Sequence, residues 1–525
     1  MTIDSIRHQE GAAEVTGKGL AAGKIGLLGA IVLGVSCIAP AYTLSGALGP
    51  TTGAVGYQLP AIFLAGFIPM VLVAIGYREL NKAMPDSGTT FTWCTKAFGP
   101  WLGWLGGWGL LISTVLVLSN LAGIAVDFFY LMLSQLTGNA ALADLTRNVP
   151  LNIVTCLVFV AIASYIAYRG LDATQRVQYI LVGFQVTVLV LYSVLAINHV
   201  VNGTAFDAQT PTLAWFNPAE IPTWSAFAAG ISLSVFIFWG WDVVLTLNEE
   251  TKGASVTPGR AATGTIFTIL ALYLLIAIST LSFAGIGSEG LGLTNPDVQE
   301  NIFAALAGPV MGPFGILMSL AVLASSIASL QSTFASPART MLAMGYYKAL
   351  PARFARVSPT FRTPSFATIT AAVVSGAFYA MMRFLSENVL WDTIAALGMM
   401  VCFYYGLTAL AAVFYFRKEA FVNAKNFVTK FCAPLLGGLM LLGFFFQTWR
   451  DSMDPEFGSG SSIGGVGLVF VLGLVLLGVG VVLMVISAIR NPGFFRGEII
   501  HRGTSVDPAD DLVMGDLIDQ IDPEN

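Results

Sequence analysis

The chain has 525 residues, 56% of them hydrophobic and only 10% charged, with mean hydropathy +0.76 and formal net charge −5. Soluble domains carry roughly 25% charged residues, so this composition excludes a soluble enzyme of this length, a disordered chain and a nucleic-acid-binding domain. A disulfide-stapled secreted module is excluded too, which leaves an all-α polytopic membrane protein partnered by the lipid bilayer.

The first 24 residues are polar and lack a cleavage-site pattern, so the first apolar stretch must itself direct insertion. A bilayer core of ~30 Å needs about 20 apolar residues per helix. Twelve stretches meet this: 25–49, 54–77, 101–133, 151–168, 179–199, 224–248, 262–286, 313–341, 366–383, 391–416, 430–448 and 464–489. Placing the N-terminus inside leaves only Arg147, Arg383 and Arg450, of 25 Lys and Arg, on the outer side. That bias predicts cytoplasmic termini. After Arg502 comes an acidic tail without Lys or Arg, within a C-terminal segment 490–525 that is expected to be a solvated end.

Span one contains Ser36-Cys37-Ile38-Ala39-Pro40-Ala41-Tyr42. Pro40 lacks an N–H and suits the first position of a new helix, so residues 36–40 are expected to be unwound. Span six contains Phe236-Ile237-Phe238-Trp239-Gly240-Trp241-Asp242, four aromatics and a glycine at mid-membrane followed by a carboxylate. A matched pair of interrupted helices is the sequence mark of an inverted repeat around a binding site. Residues 25–199 and 224–416 would be the two repeats, with 430–489 appended. Broken helices expose backbone donors at one end and acceptors at the other, which fits an amino acid, or an amine held by the acceptors alone.

Longer stretches give these breaks a context. Tyr77-Arg78-Glu79-Leu80 and Pro85-Asp86-Ser87-Gly88-Thr89-Thr90-Phe91 follow span two; Gly240-Trp241-Asp242 leads to Glu249-Glu250-Thr251-Lys252; Ser336-Pro337-Ala338-Arg339 and Leu350-Pro351-Ala352-Arg353-Phe354 follow span eight. From about 25 to 416 the chain resembles the amino acid–polyamine–organocation (APC) permeases. The resemblance implies a LeuT-type five-plus-five inverted repeat and secondary active transport by alternating access, and no phosphate-binding glycine loop is found. It places backbone carbonyls near Phe236, Ile237 and Trp239 against a substrate ammonium, with Phe236 as an aromatic gate. It also aligns Gln185 with the span-five lysine of some proton-coupled members; a glutamine cannot titrate, but it could brace spans one and eight by hydrogen bonding. The family's small Gly-Ser-Gly-like break is replaced here by the bulkier Ile38–Tyr42, while polyamine-type importers share the span-one proline.

Intramembrane charges are functional candidates by default. Asp242 and Asp127 are the two carboxylates, and Asp242 could relay protons or order the break. Ser325, Ser326, Ser329 and Ser332 form a polar run in span eight that could hold Na⁺ together with span-one carbonyls, as hydroxyls there do in sodium-coupled relatives of the fold. Tyr404 and Tyr405 could line the pathway. Glu249 and Glu250 are expected to pair with Lys252 and Arg260. The three histidines (His8, His199, His501) lie outside the membrane centre, and the five cysteines lack paired spacing, so no metal site, cofactor or catalytic residue is expected. The reading is a permease for amino acids, with a polyamine or organic amine importer or an exchanger as the alternative, coupled to H⁺ or else Na⁺. A nutrient-sensing receptor on the same scaffold would bind without flux, and oligomeric state is open.

Overall fold

The computed structural model describes residues 16–299, 301–385 and 389–502; the acidic tail and His8 lie outside them. Helices dominate, as they must where hydrocarbon offers no partner to backbone N–H and C=O groups. Among the described residues, strand pairing is confined to the ribbon of Ser462–Ile463 with Val466–Gly467 and one bridge between Ile25 and Thr251.

Ten helical runs among the described residues are long and apolar enough to cross a membrane. The 57-residue run Leu27–Ala83 contains predicted spans one and two. It is broken at Gly56 (φ 61°) and returns on itself, because both of its ends reach the same loop. Lys24 N donates to Glu250 O (2.7 Å) and Asn81 Nδ2 to Ala254 O (2.9 Å). Predicted span six falls short because it is split into Trp224–Ile237 and Val243–Thr246. Counting these two, the twelve expected spans are all present. Two buried helices were not expected, Thr90–Phe98 and Ile302–Met311; each is too short to cross a bilayer and so falls below a span-length reading.

The loops sort onto two faces. On one, Asn248 Nδ2 donates to Asp86 O (3.0 Å), Arg339 pairs with Glu250, Thr363 Oγ1 donates to Tyr168 O (2.8 Å) and Arg502 Nε donates to Ala97 O (3.0 Å). This face gathers the loops rich in Lys and Arg. On the other, Asp207 N donates to Phe283 O (3.0 Å), Gln58 Nε2 to Glu220 (3.3 Å) and Arg383 to Thr146 O (3.4 Å).

The break in span one is narrower than residues 36–40. The first half-helix runs Leu27–Ile38 and the second begins at Pro40, leaving Ala39 alone in the left-handed region (φ 55°, ψ 66°). Pro40 needs only its missing donor and its ring accommodated, and one residue of reversed backbone does that while Ala39 N still donates to Val35 O (3.0 Å). Left-handed alanine costs about 1–2 kcal/mol, so the break is held by its surroundings.

Candidate functional site

The two breaks cross. Gly240, at φ 113°, lies so close to span one that a Cβ there would sit 3.0 Å from the carbonyl carbon of Cys37 and 3.1 Å from Ile38 N. Only glycine combines that dihedral with that approach. Span six unwinds over Phe238–Asp242, with Trp239 N donating to Phe236 O (3.0 Å) and Tyr273 Oη to Ile237 O (2.9 Å). Two of the three carbonyls proposed for an ammonium thus already carry one hydrogen bond each.

The aromatics of the break diverge. Phe238 packs on Phe67 and Tyr273, and Trp241 packs on Tyr77 and Tyr405, its ring centroid 5.0 Å from each. Trp239 donates from Nε1 to Tyr404 Oη (2.7 Å). Phe236 is buried at the end of its half-helix, which removes a lipid-facing role.

Asp242 closes the break. Tyr405 Oη donates to one carboxylate oxygen (2.7 Å) and Tyr404 Oη to the other (3.0 Å). Its exposure is 2%, and no basic side chain among the described residues pairs with it. Both tyrosine hydroxyls of span ten are thus engaged by the Asp242 carboxylate.

Span eight reaches span one through serines. Ser329 Oγ donates to Cys37 O (2.9 Å), Ser332 Oγ meets Ser36 Oγ (3.1 Å) and Ser325 Oγ accepts from Tyr42 N (3.4 Å). Ser326 takes no part in this contact; its hydroxyl donates to Val322 O of its own helix (2.9 Å). The bracing amide of span five is Gln178, not Gln185. Gln178 Nε2 donates to Ala328 O (2.9 Å) and its oxygen accepts from Ser36 Oγ (2.5 Å), tying spans one, five and eight together. Gln185, two helical turns further along, is fully buried with neither amide atom hydrogen bonded. Tyr42 Oη, Ser234 Oγ and Trp241 Nε1 are likewise buried and unpartnered. Asp127 stands apart, facing Arg383 near the opposite end of span three.

Beneath the breaks, on the basic face, lies a buried ionic network. Lys18 Nζ contacts Asp86 (2.5 Å) and Glu249 (2.6 Å), and Tyr347 Oη donates to Asp86 (2.7 Å). Arg339 binds Glu250 through two nitrogens (2.8 and 3.0 Å). The expected partners Lys252 and Arg260 are exposed instead, because the turn Asn248–Glu250 points both carboxylates inward. Burial opposes the charge on Lys18, but Asp86 and Glu249 outweigh it and hold the ammonium well above its usual range. Burial likewise opposes charge on Asp86, and Lys18 with its hydrogen bonds overrides it, holding the carboxyl below its usual value. Lys18 escaped the sequence reading because a lone lysine in a polar leader carries no pattern.

These features can be set against known proteins. The family model described as "Amino acid permease" matches residues 25–449. The chain is similar to the low-affinity putrescine importer PlaP of Escherichia coli K12, 24% identical over 482 residues covering 89% of this chain and 94% of that protein. It is similar to the branched-chain amino acid permease BcaP of Lactococcus lactis, 24% identical over 421 residues covering 78% and 84%. Among solved structures, MhsT in complex with L-phenylalanine superposes with TM-score 0.55 at 16% identity, covering 80% of this chain and 98% of the other. The chain accordingly belongs to the amino acid permease family of the APC superfamily, and is a multi-pass membrane transporter of small molecules.

Proposed function

We propose that this permease carries a substrate bearing an ammonium group across the plasma membrane by alternating access, its cytoplasmic side being the basic face. The observation that carries the reading is Asp242, a buried carboxylate at the span-six break that is hydrogen bonded by two tyrosines and paired with no cation among the described residues. A buried charge without a counter-charge is costly, and an ammonium brought to the break supplies one. Residues 25–199 and 224–416 act as the two repeats that rock about the crossing. The Lys18, Asp86, Glu249, Arg339 and Glu250 network closes the cytoplasmic side in this state. Protons drive the cycle in this reading, with Asp242 rather than Gln185 as the group that can exchange one.

A specific observation favours organic amines over amino acids. The second half of span one opens with Pro40, which has no N–H, and Tyr42 N already meets Ser325, so little backbone remains to bind a carboxylate. Counterflow into proteoliposomes decides this, using ornithine against putrescine and tyrosine against tyramine at two pH values. Exchange of the decarboxylated amines marks an amine importer, and exchange of the amino acids alone marks an amino acid permease. If neither member of either pair exchanges, and Asp242→Asn leaves residual flux of any substrate unchanged, the ammonium reading fails.

A further inference from the structure

On the basic face, away from the crossing, a basin of about 640 Å³ opens where the end of span two meets the starts of spans seven and eleven. Its wall carries Arg78, Lys82, Arg260, Lys425 and Lys430 against a single carboxylate, Glu79. Two cations have partners: Arg78 reaches Glu79 at 3.5 Å, and Lys430 reaches Glu419 at 2.5 Å while lying over the Phe416 ring. Lys82, Arg260 and Lys425 are exposed and pair with no carboxylate among the described residues.

The walls are fixed by packing. A Cβ on Gly259 would lie 2.6 Å from Arg78 Cγ, so the first turn of span seven rests on the arginine stem. Asn81 Nδ2 donates to Ala254 O (2.9 Å) and Ser255 O (3.2 Å), holding the loop that forms one side. On the far side the backbone runs as a six-residue π-helix, Phe427–Cys432, which sets the direction of Thr429 and Lys430. Such π-segments are rare and recur at functional sites. Beyond the charges, Phe421, Val422, Phe427 and Val428 expose apolar side chains, an arrangement suited to the level of lipid headgroups.

We propose that this basin binds a phosphate-bearing anion whose source is the headgroup of an anionic phospholipid. Basic pockets between helices on the cytoplasmic side are suited to such headgroups, because several cations share the phosphate oxygens while acyl chains follow the apolar rim. Occupancy ties spans two and seven to span eleven, so the lipid would restrain the movement of those spans relative to one another.

The test uses the full-length detergent-purified protein and needs no transport. Native mass spectrometry compares phosphatidylglycerol with phosphatidylcholine, and calorimetry with inorganic pyrophosphate supplies a soluble arm. The double variant Arg260→Gln with Lys425→Gln should lose phosphatidylglycerol retention at least tenfold, while Arg356→Gln, an exposed cation outside the basin, should retain it. Raising NaCl to 0.5 M should release the lipid from the unmodified protein, a readout independent of variant folding. Pyrophosphate binding that fails in the double variant, with no lipid preference, overturns the lipid source and leaves a soluble phosphate site. Equal retention of both lipids with no pyrophosphate binding, or binding indifferent to the double variant and to salt, overturns the proposal.

Discussion

Gly240 of span six and Cys37 of span one are in backbone contact, the virtual Cβ of the glycine standing 3.0 Å from the cysteine carbonyl carbon. The contact brings the two interruptions together with no room for a side chain between them. Gly240→Ala must both adopt φ 113° and displace span-one backbone. The strain is about 1–3 kcal/mol. A lowered melting temperature in detergent and a loss of counterflow of tenfold or more are expected; unchanged values of both would show that the crossing tolerates a side chain and is not tight.

The pair Tyr404 and Tyr405 holds the Asp242 carboxylate, and hydrogen bonds to a charged group are worth about 1.5–3 kcal/mol each. Tyr405→Phe should raise KM about tenfold or more for whichever substrate is carried, with a smaller change in protein yield. Tyr404→Phe should do the same and also release Trp239 Nε1. If both phenylalanine variants transport with unaltered KM while Asp242→Asn is inactive, the carboxylate works without its tyrosines and the site has been misread.

Apolar runs and the asymmetry of Lys and Arg disclosed the helices and the two faces, because both follow from the cost of burying polar groups in lipid. Pro40 and Gly240 announced where the helices break, since each residue forces its local backbone. What stayed hidden is contact across helices. Gln178 and Gln185 lie on one face of one helix, and nothing in their neighbours tells which finds Ser36 and Ala328. The same holds for Glu249, whose partner Lys18 is 231 residues away in sequence. Ser325 and Ser326 looked equivalent, yet only one faces span one.

The Lys18–Asp86 pair should be indifferent to pH across the neutral range. Lys18 is held above its usual value, so its contribution is fully present below about pH 10 and is lost only as pH rises through the raised value. Asp86 is held below its usual value, so its contribution is present above about pH 4 and is lost only as pH falls through the lowered one. Labelling of Ser87→Cys, normalised at each pH to that of Ala352→Cys at an exposed position so that thiolate formation cancels, should be slow and constant between pH 5.5 and 8.5, and faster when Lys18→Gln is added. A normalised Ser87→Cys rate that climbs steeply inside that window would show that the pair titrates and is itself a pH sensor.

The two glutamines of span five give the sharpest separation of structure from function. Gln178→Leu removes bonds to spans one and eight and leaves Ser36 facing an apolar group, so a loss of about 1–3 kcal/mol in stability is expected. Gln185→Leu removes a buried amide that bonds to nothing, so the fold should be unchanged or more stable. A buried amide without a bond costs stability, and the expectation is that it finds its partner in another state of the transport cycle. Gln185→Leu should therefore melt no lower than the parent yet lose most counterflow, with Gln185→Glu or Gln185→Asn restoring part of it. Full transport by a stabilised Gln185→Leu protein would show that the amide has no role in the cycle.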